Sequence, residues 1–142
     1  MRKRAASVAF WLYLAVLFRI TVFRSGWYEN EFFAGGVVWV PFQIIFTYLF
    51  AGYWGYFLYL FAGNILWFVP FGVYVGVKEK SAAACVLYTA LLSLTIETLQ
   101  FVLSTGCSET EDILLNTLGG VLGWLACRGL RRLMEKRAAR RG

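Results

Sequence analysis

Long apolar runs alternate along this chain with short clusters of charge, and the clusters alternate in sign. A first run, residues 5–23, follows the basic opening Met1-Arg2-Lys3-Arg4. Acidic Glu29 and Glu31 come next, then an apolar stretch from 37 to 77 that ends at Lys78 and Lys80. The run 81–103 leads into the acidic loop Ser108-Glu109-Thr110-Glu111-Asp112. A last run, 113–127, ends in Arg128, Arg131, Arg132, Lys136, Arg137, Arg140 and Arg141. About 20 apolar residues span a bilayer as a helix. With basic clusters retained inside, the pattern predicts four crossings, both termini cytoplasmic and the acidic loops outside.

The stretch 37–77 is long enough for two helices, but two crossings would move a basic cluster to the outer side. One span over 57–77 is therefore predicted, with five crossings as the alternative. The preceding segment, 37–54, carries Pro41 and Gly52, with Gly55 just beyond it, and is rich in Trp39, Tyr48, Tyr53, Trp54 and Tyr56. Breakers and interface-seeking aromatics predict a re-entrant or interfacial element. The first run resembles a secretion signal, but no small-x-small cleavage pattern follows, so it is read as a spanning helix. The expected fold is an all-α integral membrane helical bundle. It has four transmembrane helices and one aromatic-rich re-entrant or interfacial segment, in a single domain over 1–142. Residues 128–142 form a basic cytoplasmic tail whose arginines snorkel to lipid phosphate.

Composition removes the soluble alternative. Of 142 residues 60% are apolar, 19% aromatic and 15% charged, too little polar surface for a water-soluble globule of this size. The net charge of +6 sits at the chain ends without aromatic interleaving, which points to membrane lipid headgroups and not to nucleic acid. Cys85, Cys107 and Cys127 have no paired spacing and the chain has no histidine. No disulfide framework, transition-metal centre or cofactor is expected, and only an oxygen-ligand Mg or Ca site stays open.

Within this apolar background a few polar residues stand out. Glu97 is the sole charge in the run 81–103, and an ionisable residue inside a span marks a functional-site candidate. Thr89, Ser93, Glu97, Gln100 and Ser104 are spaced four, four, three and four apart, on one helical face. Thr89 and Ser93 are read as bonding their own backbone. Ser108-x-x-Glu111 has capping-box spacing and predicts a helix start near Glu109. Glu109, Asp112 and Asn116 then share a face, with Glu109 and Glu111 explained as first-turn acids. Asn64, Phe68, Gly72 and Gly76 share another, where a lone Asn reads first as interhelical glue, and Gly119 with Gly123 predicts close helix contact. At ~1.5 Å per residue, Asn64, Glu97, Gln100, Asp112 and Asn116 all lie within about 10–15 Å of the outer boundary. Arg19 falls in the same slab and is the expected partner of the buried acid, with Arg24 second.

These residues lie in blocks that resemble the VanZ-like family, named for an accessory glycopeptide-resistance protein acting against teicoplanin. Gly63-Asn64-Ile65-Leu66-Trp67-Phe68-Val69-Pro70-Phe71-Gly72 is similar to its GNxxxFxPxG. Ser93-Leu94-Thr95-Ile96-Glu97-Thr98-Leu99-Gln100 is similar to SxxxExxQ, and Asp112-Ile113-Leu114-Leu115-Asn116-Thr117-Leu118-Gly119-Gly120 to DxxxNTxG. Val40-Pro41-Phe42 echoes a further Pro-Phe. Val38 stands where the family often has Asn, and Glu109 where it has Asp. The resemblance covers about 38–124 and implies a multi-pass protein of the bacterial cytoplasmic membrane associated with glycopeptide resistance. It supports Asn64, Glu97, Gln100, Asp112 and Asn116 as a site but names no reaction.

The leading expectation is a non-enzymatic envelope protein. Its outward-facing intramembrane site, formed by Asn64, Glu97, Gln100, Asp112, Asn116 and Arg19, would recognise a lipid-linked cell-wall precursor, a lipoglycopeptide or an envelope partner. The acidic rim opposes a bare pyrophosphate unless a divalent cation, or Arg19 and Arg24, neutralise it. The alternative is a membrane enzyme using Glu97 or Asp112 as general base or as Mg ligands. A third class is a structural subunit whose polar cluster fixes helix register. Glu97 is expected to bond Asn64, Asn116, the neighbourhood of Gln100, or Arg19.

Overall fold

The computed structural model describes residues 2–23, 31–78 and 81–140. Arg24, Glu29, Lys80 and Arg141, which entered the charge argument, lie outside the described residues. The elements in chain order are α1 (Arg2–Thr21), β1 (Gly36–Val38), α2 (Gln43–Phe50), α3 (Trp54–Lys78), α4 (Ala82–Val102), β2 (Cys107–Glu109) and α5 (Thr110–Ala139). Four helices are long and apolar enough to cross a membrane: Arg4–Thr21 within α1, and α3, α4 and α5. Their limits follow the hydropathy runs at α1, α3 and α4. The last helix starts three residues before the run at 113 and continues to Ala139, because nothing in the basic tail breaks it.

The segment 37–54 does not span. Its helix, α2, has 8 residues and so reaches only about 12 Å, against a hydrocarbon thickness of about 30 Å. Pro41 lies just before it, and Gly52, at φ +81°, turns the chain into α3. Tyr48 packs against Tyr53 and Tyr56, joining α2 to the start of α3. The five-crossing alternative therefore finds no fifth spanning helix among the described residues.

Between the spans the chain also forms a feature that the hydropathy pattern does not carry. Strand β1 pairs in parallel with β2, in the register Gly36 to Cys107, Val37 to Ser108 and Val38 to Glu109. The strap is extended by Phe33 N–H on the Val102 carbonyl at 2.9 Å and Ala34 N–H on Ser104 Oγ at 2.9 Å. Thr110 Oγ1 donates to the Val38 carbonyl at 3.2 Å. Ser104, expected on the polar face of α4, lies past the helix end at φ +52° and serves this strap instead.

Helix contact within the bundle is set by glycine. A Cβ added at Gly72 of α3 would come within 1.8 Å of the Gly120 carbonyl oxygen, and one at Gly119 within 2.1 Å of that of Ile65. Gly123 meets the Val69 carbonyl in the same way, while Gly120 seats Thr89 of α4. Helices α3 and α5 thus run side by side in the same direction at backbone contact, and α4 closes on the same ridge of small residues. Such approach is the main source of association between spans, where lipid offers no hydrophobic gain. Helix α1 is held by Leu17, buried with Val22, Phe68 and Ile96, and by Tyr13, whose hydroxyl donates to the Trp67 carbonyl at 2.6 Å. That carbonyl lies one residue past Leu66, whose usual donor Pro70 cannot supply.

Candidate functional site

At the end of the bundle that carries β1 and β2, four helices leave a cavity of about 610 Å³. Its α3 wall is Tyr56, Tyr59, Leu60, Gly63, Asn64, Trp67 and Phe68. Leu17, Ile20 and Thr21 of α1 face it, with Ile96, Glu97 and Gln100 from α4 and Asp112 and Asn116 from α5. Gly106, Cys107 and Glu109 of the α4–α5 connection complete it. Five of the six residues singled out from sequence therefore line one cavity. The sixth, Arg19, does not. It lies on the exposed face of α1, where its guanidinium donates to the Phe23 carbonyl beyond the helix end.

Of the cavity residues, Asn64, Glu97, Gln100, Asp112 and Asn116 each have a structural partner. Glu97, 2% exposed, accepts a 2.8 Å hydrogen bond on Oε2 from the backbone N–H of Glu109, the N-cap residue of α5. A capping box would use an acid three residues into α5 for that N–H. Here the acid comes from another helix, Ser108 lies in β2, and the side chain of the N-cap residue Glu109 makes no cap. The expected partners of Glu97 were Asn64, Asn116, Arg19 or the neighbourhood of Gln100. Asn64 Nδ2 instead donates to Asp112 Oδ1, tying α3 to α5.

Gln100 Nε2 donates to the Thr21 carbonyl at 3.3 Å, at the carboxy end of α1, where helix carbonyls lose their intrahelical donors. Asn116 Nδ2 donates to Ser93 Oγ at 2.8 Å. Ser93 is thus an interhelical partner, contrary to its reading as a backbone-bonding residue. Thr89 does bond its own helix, at the Cys85 carbonyl, 2.8 Å away. In a medium without water, backbone and amide groups must be satisfied internally, and the polar stripe of α4 does so for its neighbours.

After those bonds two acceptors are left over. Gln100 Oε1 and Asn116 Oδ1 are buried and have no hydrogen-bond partner. Their residues are 6% and 4% exposed and both line the cavity. Glu111 is a different case: 1% exposed, with neither carboxylate oxygen bonded, it lies outside the cavity lining. Among the described residues no three His, Cys, Asp or Glu side chains gather closely enough to hold a metal ion.

Sequence reasoning missed the aromatic wall of Tyr59 and Trp67 and the part played by the Glu109 amide. The first had a signal, since Tyr56, Tyr59, Gly63, Asn64 and Trp67 follow a helical repeat on one face. The second had none, because a backbone N–H is the same at every non-proline position.

Four apolar spans around a buried polar cavity define a multi-pass helical membrane protein. The chain belongs to the VanZ/LLP1 family, whose model matches residues 10–132. It is also similar to protein VanZ of Enterococcus faecium, 37% identical over 62 residues. Those cover 42% of this chain and 38% of that protein, so the chain matches well under half of the relative's length. No solved structure matches the chain.

Proposed function

We propose that this protein acts in the bacterial cytoplasmic membrane as a binding protein, taking a lipid-linked envelope ligand or the lipid-bearing part of a glycopeptide into the cavity around Glu97. Membership of its family ties it to glycopeptide resistance, and teicoplanin is the expected member of that class. The observation that carries the reading is the cavity itself. A space of about 610 Å³ lies inside the apolar bundle, walled by Tyr56, Tyr59 and Trp67 and lined by Asn64, Glu97, Gln100, Asp112 and Asn116. Pockets of roughly 300–1,000 Å³ with a few convergent polar groups are the usual size and make-up of small-ligand sites. Both termini are cytoplasmic in this reading, which places the cavity near the outer leaflet.

The test is a resistance assay paired with a binding assay. Expressed in a susceptible host, the wild-type chain should raise the teicoplanin concentration tolerated. Gly63→Leu, which projects a side chain into open space at the cavity wall, should abolish that effect while leaving the protein in the membrane at normal abundance. Full resistance from a folded, cavity-filled variant would defeat the proposal.

A further inference from the structure

We propose that an anionic phospholipid occupies a second cavity of this protein, its acyl chain in an apolar groove between α1 and α3 and its headgroup held by Lys78 and Arg131. The site is separate from the one around Glu97. It lies at the end of the bundle away from β1 and β2, where the two helices leave a space of about 770 Å³. Ala6, Ala9 and Phe10 from α1 and Val73 and Val77 from α3 supply apolar walls. From Pro70 to Lys78 the groove runs about 12 Å along α3, against about 15 Å for one leaflet of the hydrocarbon core. It therefore takes most of one acyl chain. With the termini cytoplasmic, as proposed above, that chain belongs to the inner leaflet.

Charge at one end of the groove selects the headgroup. Lys78 is the last residue of α3, and its ammonium stands 5.7 Å from the ring centre of Tyr74, one turn back on the groove wall. That ring stacks on Phe10 at 3.6 Å, so the surface under the charge is fixed between α1 and α3. Arg131 reaches across from α5 and donates to the Val77 carbonyl at 3.2 Å, which brings its guanidinium to the residue beside Lys78. A basic group at a helix carboxy end has a structural use of its own. That use engages one nitrogen of a guanidinium with five N–H donors, and the ammonium over Tyr74 makes no hydrogen bond among the described residues. Neither cation is in an ion pair among the described residues, and no Asp or Glu belongs to the described lining. An apolar trough with two cations at one end matches an amphiphile with an anionic head, and basic pockets between spans are a general form of anionic-lipid site. A partner helix fits less well. Close approach between spans uses small residues, and Gly72 and Gly76 of α3 already face Gly120 and Cys127 of α5.

The test places the full chain in detergent micelles carrying equal amounts of phosphatidylglycerol and phosphatidylcholine, and reads retained lipid by native mass spectrometry. The wild-type protein should retain phosphatidylglycerol about tenfold over phosphatidylcholine, the order expected from two basic residues at a membrane surface. Excess inorganic phosphate should not displace it. Lys78→Gln and Arg131→Gln together should remove the preference. Arg132→Gln and Arg140→Gln, which take the same charge from exposed positions outside the groove, should leave it. Ala9→Trp, at an exposed position of the groove wall, should cut retention severalfold with both cations intact. Equal retention of the two lipids by the wild-type chain overturns the proposal, as does an equal loss in both charge pairs, which marks attraction by the tail alone. Displacement by phosphate assigns the cations to a free anion, and a dimer abolished by Ala9→Trp assigns the groove to a second copy; either result removes the lipid. The lipid comparison uses the wild-type chain, so it stands even if a variant fails to fold.

Discussion

The carboxylate of Glu97, on α4, receives the backbone N–H of Glu109 at 2.8 Å and thereby caps the first turn of α5. A residue that hydropathy marks as an anomaly is thus, at one of its oxygens, the stop that sets where the next helix begins. The bond offsets part of the cost of burying an acid there, since charge-assisted hydrogen bonds are about twice as strong as neutral ones.

Glu97→Gln keeps an oxygen that can accept from Glu109, so it should fold with a loss of about 1 kcal/mol, the difference between a charge-assisted and a neutral bond. Glu97→Leu leaves a buried N–H without an acceptor and should lose about 1–3 kcal/mol more. Thermal unfolding of both variants in detergent, followed by circular dichroism, reads the order. A Leu variant as stable as the Gln variant would show that the cap contributes nothing.

Glu111 is expected to behave in the opposite sense. Its carboxylate is 1% exposed with neither oxygen bonded, and burying such a charge costs several kcal/mol. Its place in the first turn of α5 returns only about 0.3–1 kcal/mol through the helix dipole. The cost is the larger, so Glu111→Gln and Glu111→Met should raise the unfolding midpoint. A clear fall for both would mean the carboxylate is needed.

The glycine ridge gives a steric prediction with its own control. Gly72→Ala places a methyl group where the Gly120 carbonyl already lies and should destabilise the protein by about 1–3 kcal/mol through overpacking. Gly129, in the same helix as Gly120, has nothing within 4 Å, so Gly129→Ala should be neutral or stabilising by up to about 1 kcal/mol. Equal unfolding midpoints for the two variants would contradict the α3–α5 contact.

Orientation is checked through the three cysteines. Cys107 is exposed in β2, at the strand end of the bundle, and Cys85 is buried. An impermeant maleimide applied to intact cells should modify Cys107 in a Cys85→Ala, Cys127→Ala background. Modification only after the membrane is ruptured would reverse the proposed topology.

Much of the architecture was legible from the chain alone, because the bilayer reduces folding to a length and polarity criterion. Twenty apolar residues form a span in almost any order, and the alternation of basic and acidic loops predicts how many spans there are. The short α2 follows from Pro41, Gly52 and the same charge count. Glycines at helical spacing announced close helix contact on α3 and on α5, since close approach is a property of the residue type. Asn64, Glu97, Gln100, Asp112 and Asn116 were conspicuous because polarity is rare in such runs.

Pairing was another matter. Which polar group meets which depends on the rotation and axial register of whole helices, to within a hydrogen bond's length. Arg19 and Glu97 share a depth yet face apart, and Ser93 bonds Asn116 although its own backbone was within reach. The acceptor from α4 finds an amide in α5, and the amide of Gln100 finds a carbonyl in α1. Those partners are backbone groups, which carry no letter in the sequence, and the parallel strap of β1 on β2 rests on the same anonymous groups. Polarity and spacing along one chain therefore picked out five of the residues that line one cavity. Only the packing of four helices decided what each would touch, because that is a question of distances between segments and not of order along one.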